Sequence, residues 1–219
     1  MKCPGLYSIA SLFILFFSVS GFSQDSAQYD KLVLKINPLS VIDIGSFPTI
    51  QLGVEARLTH RLALEFDYAH SYISHIGKDI YNLKGYKSSL ELRRYFNQRP
   101  NKRNYYLALR VFFSERSYTD KGTLNVWGDT LDNDSTYEAA YHVRKTVFTS
   151  SLIAGYERHF SKRFSFDLFV GLGYRGRRVF KSYPHENMHA HIDSGFYIFN
   201  ENWDLYNLVL GIKFGFKLI

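Results

Sequence analysis

The feature that most constrains this chain is a period-two alternation of apolar residues, which recurs along most of its length. It is clearest in the C-terminal segment Leu208–Ile219, LVLGIKFGFKLI, where large apolar side chains alternate with positions held mostly by glycine or lysine. Such alternation is typical of a β-strand with one apolar and one polar face. A soluble sheet would bury the apolar face in a core, whereas a membrane barrel would turn it toward lipid.

The alternation predicts about eight strands, an even number that is usual for small membrane barrels. They lie near residues 31–37, 50–58, 62–70, 85–96, 105–116, 141–160, 164–177 and 208–219.

The connections between these strands fall into two groups by length. Short ones lie near 59–61, 97–104 and 161–163, longer ones near 71–84, 119–140 and 181–204, and one near 38–48 is intermediate. Short turns on one rim and long loops on the other are typical of outer-membrane barrels. We therefore predict an all-β fold, an eight-stranded antiparallel up-and-down transmembrane β-barrel with short periplasmic turns and longer extracellular loops.

The N-terminus has the three parts of a secretory signal peptide. Lys2 precedes an apolar stretch, Leu6–Val19, and small residues follow up to Ser23. We predict a signal peptide over 1–23, a short leader over 24–30 and a barrel domain over 31–219. The single cysteine, Cys3, would be removed with the signal, which excludes disulfides and thiolate metal sites in the mature chain. The expected location is the outer membrane of a Gram-negative bacterium.

The net charge of +7 and the pI near 9.3 raise nucleic acid as a partner. Export argues against it, and so does the alternation of charges of both signs with apolar residues. The densest basic stretch, Arg175–Lys181, is interpreted first as a strand end or loop base, and second as a contact for anionic lipid headgroups. No nucleic-acid partner is expected.

Glycines on the polar faces indicate which face points inward. A soluble lipocalin-like barrel would show the same alternation, but only a narrow barrel interior needs small residues beside long charged side chains. The glycines concerned are Gly53, Gly155, Gly171, Gly173, Gly211 and Gly215.

The same faces carry charges of both signs, which must be paired if they are buried. We therefore predict a charge network in the lumen. Its predicted members are Glu55, Arg57, Glu65, Asp67, Glu91, Arg93, Arg110, Glu157, Asp167, Arg175, Lys213 and Lys217.

Aromatic residues, which make up 17% of the chain, concentrate near the predicted strand ends. Two aromatic girdles are expected where a barrel crosses two membrane interfaces. The predicted girdle at the short-turn rim contains Tyr95, Phe96, Tyr105, Phe160, Phe164 and Phe216, and that at the long-loop rim contains Tyr68, Tyr72, Phe113 and Tyr174.

With these features the chain resembles small outer-membrane β-barrels of the OmpA/OmpX type. The segment LKINPLSVIDIGSFPTIQLGVEARLTHRLALE also resembles a family of uncharacterised Gram-negative outer-membrane barrels. The resemblance implies outer-membrane lipids and the barrel-assembly machinery as partners, the latter through the C-terminal strand, and a monomer. Such barrels usually end in an aromatic residue, whereas this chain ends Leu218-Ile219. Phe216 would then take the place of the terminal aromatic residue in recognition by the assembly machinery.

One stretch, HENMH at His185–His189, matches the H-E-x-x-H pattern of zinc hydrolases. That chemistry requires a helix, but Pro184 precedes the motif and it lies in a predicted loop, so we interpret the match as chance. His185, His189 and His191 remain weak candidates for binding a divalent metal.

Two further motifs are weaker still. The pair His159 and Ser161 has the spacing of a His-x-Ser pair used by a lipid A deacylase, but it lies at the short-turn rim, away from that substrate. The carboxylates Asp129, Asp132 and Asp134 do not match a calcium loop and are interpreted as a solvated polar loop.

The sequence therefore predicts a non-enzymatic protein without a cofactor, whose side chains fill the lumen and whose long loops provide a structural or surface-interaction role. Two alternatives remain open at this point, an outer-membrane lipid-modifying enzyme and a soluble periplasmic lipocalin-like ligand-binding barrel.

Overall fold

The computed structural model describes residues 32–42, 47–76, 79–96, 103–126, 135–161, 163–183, 188–190 and 206–218. The predicted signal peptide and leader lie outside these residues. The strands are β1 Leu32–Asn37, β2 Thr49–Arg57, β3 Leu62–Ser71, β4 His75–Ile76, β5 Ile80–Tyr95, β6 Arg103–Val126, β7 Ser135–His159, β8 Phe164–Ser182, β9 Met188–Ala190 and β10 Asn207–Lys217. A 3-10 helix, Pro38–Ile42, follows β1. Within the described ranges, no helix is long and apolar enough to cross a membrane.

Eight of the strands form a closed ring in which every pairing is antiparallel, in the order β1, β2, β3, β5, β6, β7, β8 and β10. The ring closes where β1 pairs with β10, from Val33 opposite Lys217 to Ile36 opposite Phe214. Closure leaves no free sheet edge around the ring. The predicted eight-stranded antiparallel barrel is therefore confirmed.

The two short strands lie outside the ring at one end of it. β4 pairs with the start of β5, and β9 pairs with the outer part of β6. This end, where β1 leads into β2 and β3 into β5, is called the long-loop end. The opposite end holds the turns after β2, β5 and β7 and is called the short-turn end.

At the long-loop end the strands run further than the sequence predicts. The predicted loop over 119–140 is strand at Thr119–Val126 and at 135–140, and β5 begins at Ile80 instead of near Gly85. β6 and β7 have 24 and 25 residues, whereas about 9–11 residues are enough to cross a bilayer. The sequence of the outer part of this hairpin, for example TDKGTLNV over Thr119–Val126, lacks the alternation by which strands are recognised.

The barrel reverses the usual distribution of polarity between surface and interior. Outward side chains such as Leu172 and Leu210 are 66% and 67% exposed, while the inward Arg93 and Lys213 are 0% exposed. The described apolar residues that cluster inside are few: Ala63, Tyr95, Tyr106, Ala108, Ile153 and Phe169. Inside the barrel, polar contacts take the place of an apolar core.

Aromatic side chains form a group at each end of the outward face. Phe164 contacts both Phe160 and Phe216 at the short-turn end, with ring centroids 6.3 and 5.3 Å apart. At the long-loop end Tyr86 lies 6.4 Å from Tyr68 and 5.9 Å from Phe113.

One residue assigned to the short-turn girdle belongs elsewhere. Tyr95 is 1% exposed and points into the barrel, because it lies an even number of residues from the inward Arg93 and Glu91.

Candidate functional site

The barrel interior holds a set of buried, mutually paired charged side chains, which we call the ion cluster. Each member lies within 4.0 Å of an oppositely charged partner. The members are Lys35, Glu55, Arg57, Glu65, Asp67, Glu91, Arg93, Arg110, Glu157, Asp167 and Lys213. Every strand of the ring contributes at least one of them, from Lys35 on β1 to Lys213 on β10. The cluster therefore forms only when the ring is closed.

Arg93 lies at the centre of the ion cluster. Its Nη1 is 2.6 Å from Asp167 Oδ2 and 3.2 Å from Glu55 Oε2. Its Nη2 is 2.7 Å from Glu91 Oε2 and 2.9 Å from Glu65 Oε2. The rigid, planar fork of a guanidinium suits such a set of carboxylates, and here it joins side chains from four other positions on the barrel wall.

Two lysines complete the centre. Lys35 Nζ lies 2.6 Å from Glu55 Oε2, 2.9 Å from Glu65 Oε2 and 3.1 Å from Asp167 Oδ2. Lys213 Nζ binds Glu65 and lies 2.7 Å from Asp67 Oδ2. These two ammonium groups come from the first and last strands of the ring, so they join the carboxylates across the closing seam.

The three carboxylates of Glu65, Asp67 and Glu91 are close enough together to hold a metal ion. The ammonium of Lys213 contacts all three, with 3.4 Å to Glu91 Oε1. A divalent cation at this place would have to displace that ammonium or lie beside it. The carboxylates are therefore neutralised by Lys213, and the geometry does not favour a metal site.

Tyrosine hydroxyls add further hydrogen bonds to the carboxylates of the ion cluster. Tyr106 donates to Asp167 Oδ1 at 2.7 Å, and Tyr95 donates to Glu55 at 3.0 Å. The guanidinium of Arg57 lies 4.4 Å from the Tyr95 ring centroid and reaches Glu157 at 3.1 Å. These contacts extend the cluster to the short-turn end.

Two inward glycines make room for the rings beside the cluster. A Cβ on Gly155 would lie 2.1 Å from Cζ of Tyr106, and a Cβ on Gly211 would lie 2.1 Å from Cζ of Phe169. Small residues at these positions therefore let large side chains fill the lumen.

Ten of the twelve residues predicted to form the lumen network belong to the ion cluster. The other two, Arg175 and Lys217, are half-buried at inward positions, opposite Thr149 and Val33. Sequence reasoning missed Lys35, although it stands between the outward Leu34 and Ile36 and so shares the parity of the other inward charges.

Few of the other sequence motifs fall within the described residues. His185, His191 and the carboxylates Asp129, Asp132 and Asp134 lie outside them. His189 lies in β9, where its backbone is extended and pairs with Asn125. Since H-E-x-x-H requires a helix, the extended backbone at His189 argues against a zinc hydrolase.

The His-x-Ser pair takes part in local structure. His159 is 7% exposed inside the barrel, with Nε2 3.7 Å from Glu157 Oε1. The Oγ of Ser161 accepts the backbone N–H groups of Arg163 and Phe164 at 3.2 and 2.9 Å. The serine thus stabilises the turn between β7 and β8, which supports its interpretation as the end of a strand.

Each carboxylate of the ion cluster contacts a cation, and most members are almost inaccessible to solvent. A general acid or base needs access to a substrate and a proton to transfer. The arrangement instead cross-links the strands, because a buried charge is tolerated when it is paired and hydrogen-bonded.

The chain is similar to a solved structure, the crystal structure of Neisserial surface protein A (NspA), with a TM-score of 0.41 and 13% sequence identity over 85% of this chain and 94% of that chain. No curated protein matches the sequence. A family model with the description "protein of unknown function (DUF3575)" matches residues 11–199, and the chain belongs to this family.

Proposed function

We propose that the chain is a non-enzymatic outer-membrane β-barrel of a Gram-negative bacterium. One observation carries this proposal: the closed ring points its large apolar side chains outward and buries paired charges inside. In water the outward face would be an apolar surface far larger than the few hundred Å² that soluble monomers usually expose. In a bilayer the same face is solvated by lipid chains.

The limits of the outward apolar band support this proposal. On β6 the outward positions run from Tyr105 through Val111 to Phe113 and then become polar at Glu115. Aromatic rings occupy the two ends of the band, as expected for side chains placed at membrane–water interfaces.

A lumen closed by side chains is the second part of the proposal. Arg93, Lys213, Glu65 and Glu91 are 0% exposed, so packed side chains occupy the interior around them. An eight-stranded barrel is just wide enough for its own side chains. The protein would then act as a scaffold in the membrane and not as a pore.

The extended hairpin of β6 and β7 supports a surface-interaction role. Its paired backbone continues from Glu115 opposite Thr146 to Val126 opposite Ser135, beyond the apolar band. This projection is the part of the barrel that a partner outside the membrane would meet first, since loops and projections carry specificity on a stable scaffold.

A substitution on the outward face tests the proposal. Val170 is 47% exposed in the apolar band of β8. Val170→Arg should reduce the free energy of unfolding in phosphatidylcholine vesicles by about 2–4 kcal/mol, as for arginine near the middle of a bilayer. Thr119→Arg, on the projecting hairpin, serves as the matched control and should change it by less than about 1 kcal/mol.

Cell fractionation gives an independent test. The protein should be recovered in outer membranes and show heat-modifiable mobility on gels. Recovery in the soluble periplasm, with Val170→Arg as stable as the parent protein, would contradict the proposal and favour a soluble barrel.

A further inference from the structure

At the long-loop end, the outward face of the barrel changes from apolar to cationic on one side of the ring. We call three exposed cations on β5, β7 and β8 the cationic patch: Lys84, Arg144 and Arg178. The preceding residues of the first two, Leu83 and Val143, are 4% and 3% exposed and point into the barrel. Because side chains alternate along a strand, the patch points away from the lumen.

The register of the strands brings the members of the patch close together. Lys84 lies opposite Ser117, which in turn lies opposite Arg144. Arg178 lies opposite Thr146, so it is the diagonal neighbour of Arg144 across β7 and β8. Diagonal neighbours on one face lie roughly 7–8 Å apart, so two long guanidinium side chains can reach the same phosphate group.

Aromatic residues directly below the patch indicate its height in the proposed membrane. Phe148 is 52% exposed on the outward face and lies opposite Gly176, two residues before Arg178. Two residues of a strand span about 7 Å, which at the usual tilt is about 5 Å along the membrane normal. Aromatic girdles lie at the interface, and the headgroup layer is about 5–7 Å thick. Arg178 would therefore lie among lipid headgroups.

The outward charges at the level of the patch are mainly positive. In the described part of this outward face, from the aromatic residues up to the level of Thr119, the single carboxylate is Glu115. Its Oε1 lies 2.8 Å from Nη2 of Arg144, and both side chains are partly exposed. An exposed pair of this kind is weak, and a guanidinium has further N–H donors, so Arg144 can also bind a phosphate. Asp79 and Glu138 lie farther out, beside the projecting part of β6.

The other side of the ring carries no such charges. The described outward positions of β1, β2, β3 and β10 hold no lysine, arginine, aspartate or glutamate. A uniform attraction to the membrane surface would be served by cations all round the ring. Their restriction to neighbouring strands at this end indicates a localised contact.

The chemistry of the patch selects the class of ligand. Guanidinium groups match the geometry of phosphate oxygens with two parallel hydrogen bonds, and lysine adds a point charge. Below the patch, Gly176 leaves open space beside Phe148, since a Cβ there would meet no atom within 4 Å. A ligand with phosphate above and apolar groups below fits this face. We propose that the cationic patch binds the phosphate groups of lipid A, the phosphorylated lipid of the outer leaflet.

This inference rests on the proposed function, because it requires the long-loop end to lie at the outer leaflet. The test uses the full barrel refolded in neutral detergent micelles and titrated with bis-phosphorylated lipid A, with bound lipid counted by native mass spectrometry. We expect saturable binding in a discrete stoichiometry. Arg178→Gln should weaken it about fivefold, the usual contribution of one arginine near an anionic membrane surface.

A matched control comes from the same strand as Arg144. Arg158 is exposed on the outward face of β7 but lies at the short-turn end. Arg158→Gln makes the same change of charge and should leave the affinity for lipid A within about twofold of the parent value, because several Debye lengths separate it from the patch. Arg144→Gln gives a second test of the patch if Arg178→Gln does not refold.

Three outcomes would overturn the proposal. One is the absence of saturable lipid A binding, or equally tight binding of lipid A from which the phosphates have been removed. Another is equal weakening by Arg178→Gln and Arg158→Gln, which would indicate diffuse charge. The third is phosphatidylglycerol binding as tightly as lipid A with the same loss in Arg178→Gln, which would assign the patch to phospholipid.

Failure of this inference can be told apart from failure of the proposed function. The micelle experiment does not depend on where the protein lies in the cell, so a negative result there leaves an outer-membrane location untouched. Recovery of the protein in the soluble periplasm would instead contradict the proposed function itself.

Discussion

At the scale of single residues, Lys213 shows how a charge can be required in the interior of a barrel. Its ammonium contacts Glu65, Asp67 and Glu91, none of which is more than 2% exposed. Lys213→Met would leave carboxylates without their cation, and breaking a buried pair in this way costs about 3–5 kcal/mol. Urea titration of the protein in vesicles should show a loss of that size.

The control for this prediction is Lys217→Met, four residues along the same strand and on the same face. Lys217 is half-buried at the short-turn end, so solvent screens the contacts of its ammonium more than those of Lys213. Its replacement should cost less than about 1 kcal/mol. Equal losses of unfolding free energy for the two variants would mean that the buried ion pairs of Lys213 do not contribute more to stability than the contacts of Lys217.

A glycine in the interior gives a prediction of the opposite kind, because there a side chain would be too large. A Cβ on Gly155 would overlap the ring of Tyr106, and that ring is held by its bond to Asp167 and by Arg93 at 4.5 Å from its centroid. Gly155→Ala should therefore destabilise the barrel by about 1–3 kcal/mol, as overpacking does. The midpoint of urea unfolding measures this.

Gly176→Ala is the matched control, since a Cβ there meets no atom within 4 Å. It should be neutral or slightly stabilising, because alanine has less conformational freedom to lose on folding. A barrel that tolerates both alanines equally would contradict the close packing of Tyr106 against Gly155.

Residue parity is what made most of the interior predictable from the sequence. A charge that alternates with apolar neighbours must lie on the other face, which is enough to place Glu65, Arg93 and Lys213 inside. The sequence does not predict which charged residues form ion pairs, because the pairs depend on which strands face each other across the ring. Tyr95 was placed in the aromatic girdle because its residue type weighed more than its parity.

At the scale of secondary-structure elements, the β6–β7 hairpin divides into a part within the ring and a projecting part. Asp120 and Tyr141 are paired across it, and the Tyr141 hydroxyl donates to Asp120 at 3.0 Å. Replacing residues 121–140 by the turn Asn-Gly preserves this pair and the register below it. The shortened barrel should unfold within about 1 kcal/mol of the parent and keep its heat-modifiable mobility.

The contrasting variant removes residues inside the apolar band. Deleting Leu109 with Arg110 on β6, and Ser151 with Leu152 on β7, takes out two paired rows of the ring. This should prevent refolding, since it shifts the register of both strands against β5 and β8. Loss of refolding in the first variant as well would show that the projecting hairpin is needed to form the barrel.

Strand ends were harder to predict than strands for a physical reason. Apolar and polar residues alternate only where the two faces of a strand meet environments of different polarity. The segments Thr119–Val126 and 135–140 lie above the ring, so hydrogen bonding between their backbones holds them as strands without leaving that signal in the sequence.

At the scale of the whole molecule, the ion cluster ties the ring together across its largest sequence separations. Lys213 on β10 binds Glu65 on β3, which is 148 residues earlier in the chain. Contacts of such length form late in folding, when loop closure has already brought the strands together. The charged side chains therefore pair when the ring closes, and once paired they block the lumen.

A closed lumen predicts that the protein does not conduct ions. Arg93 and Lys213 block the middle of the barrel, and the inward Phe47, 1% exposed, lies at the long-loop end with the Lys87 ammonium 4.5 Å from its ring centroid. In planar bilayers the protein should give no stable conductance steps above the baseline, with a reconstituted porin as the positive control. Reproducible unit steps that persist across membrane voltages would contradict the filled lumen, and would require the ion cluster to open in the membrane despite the cost of separating its buried pairs.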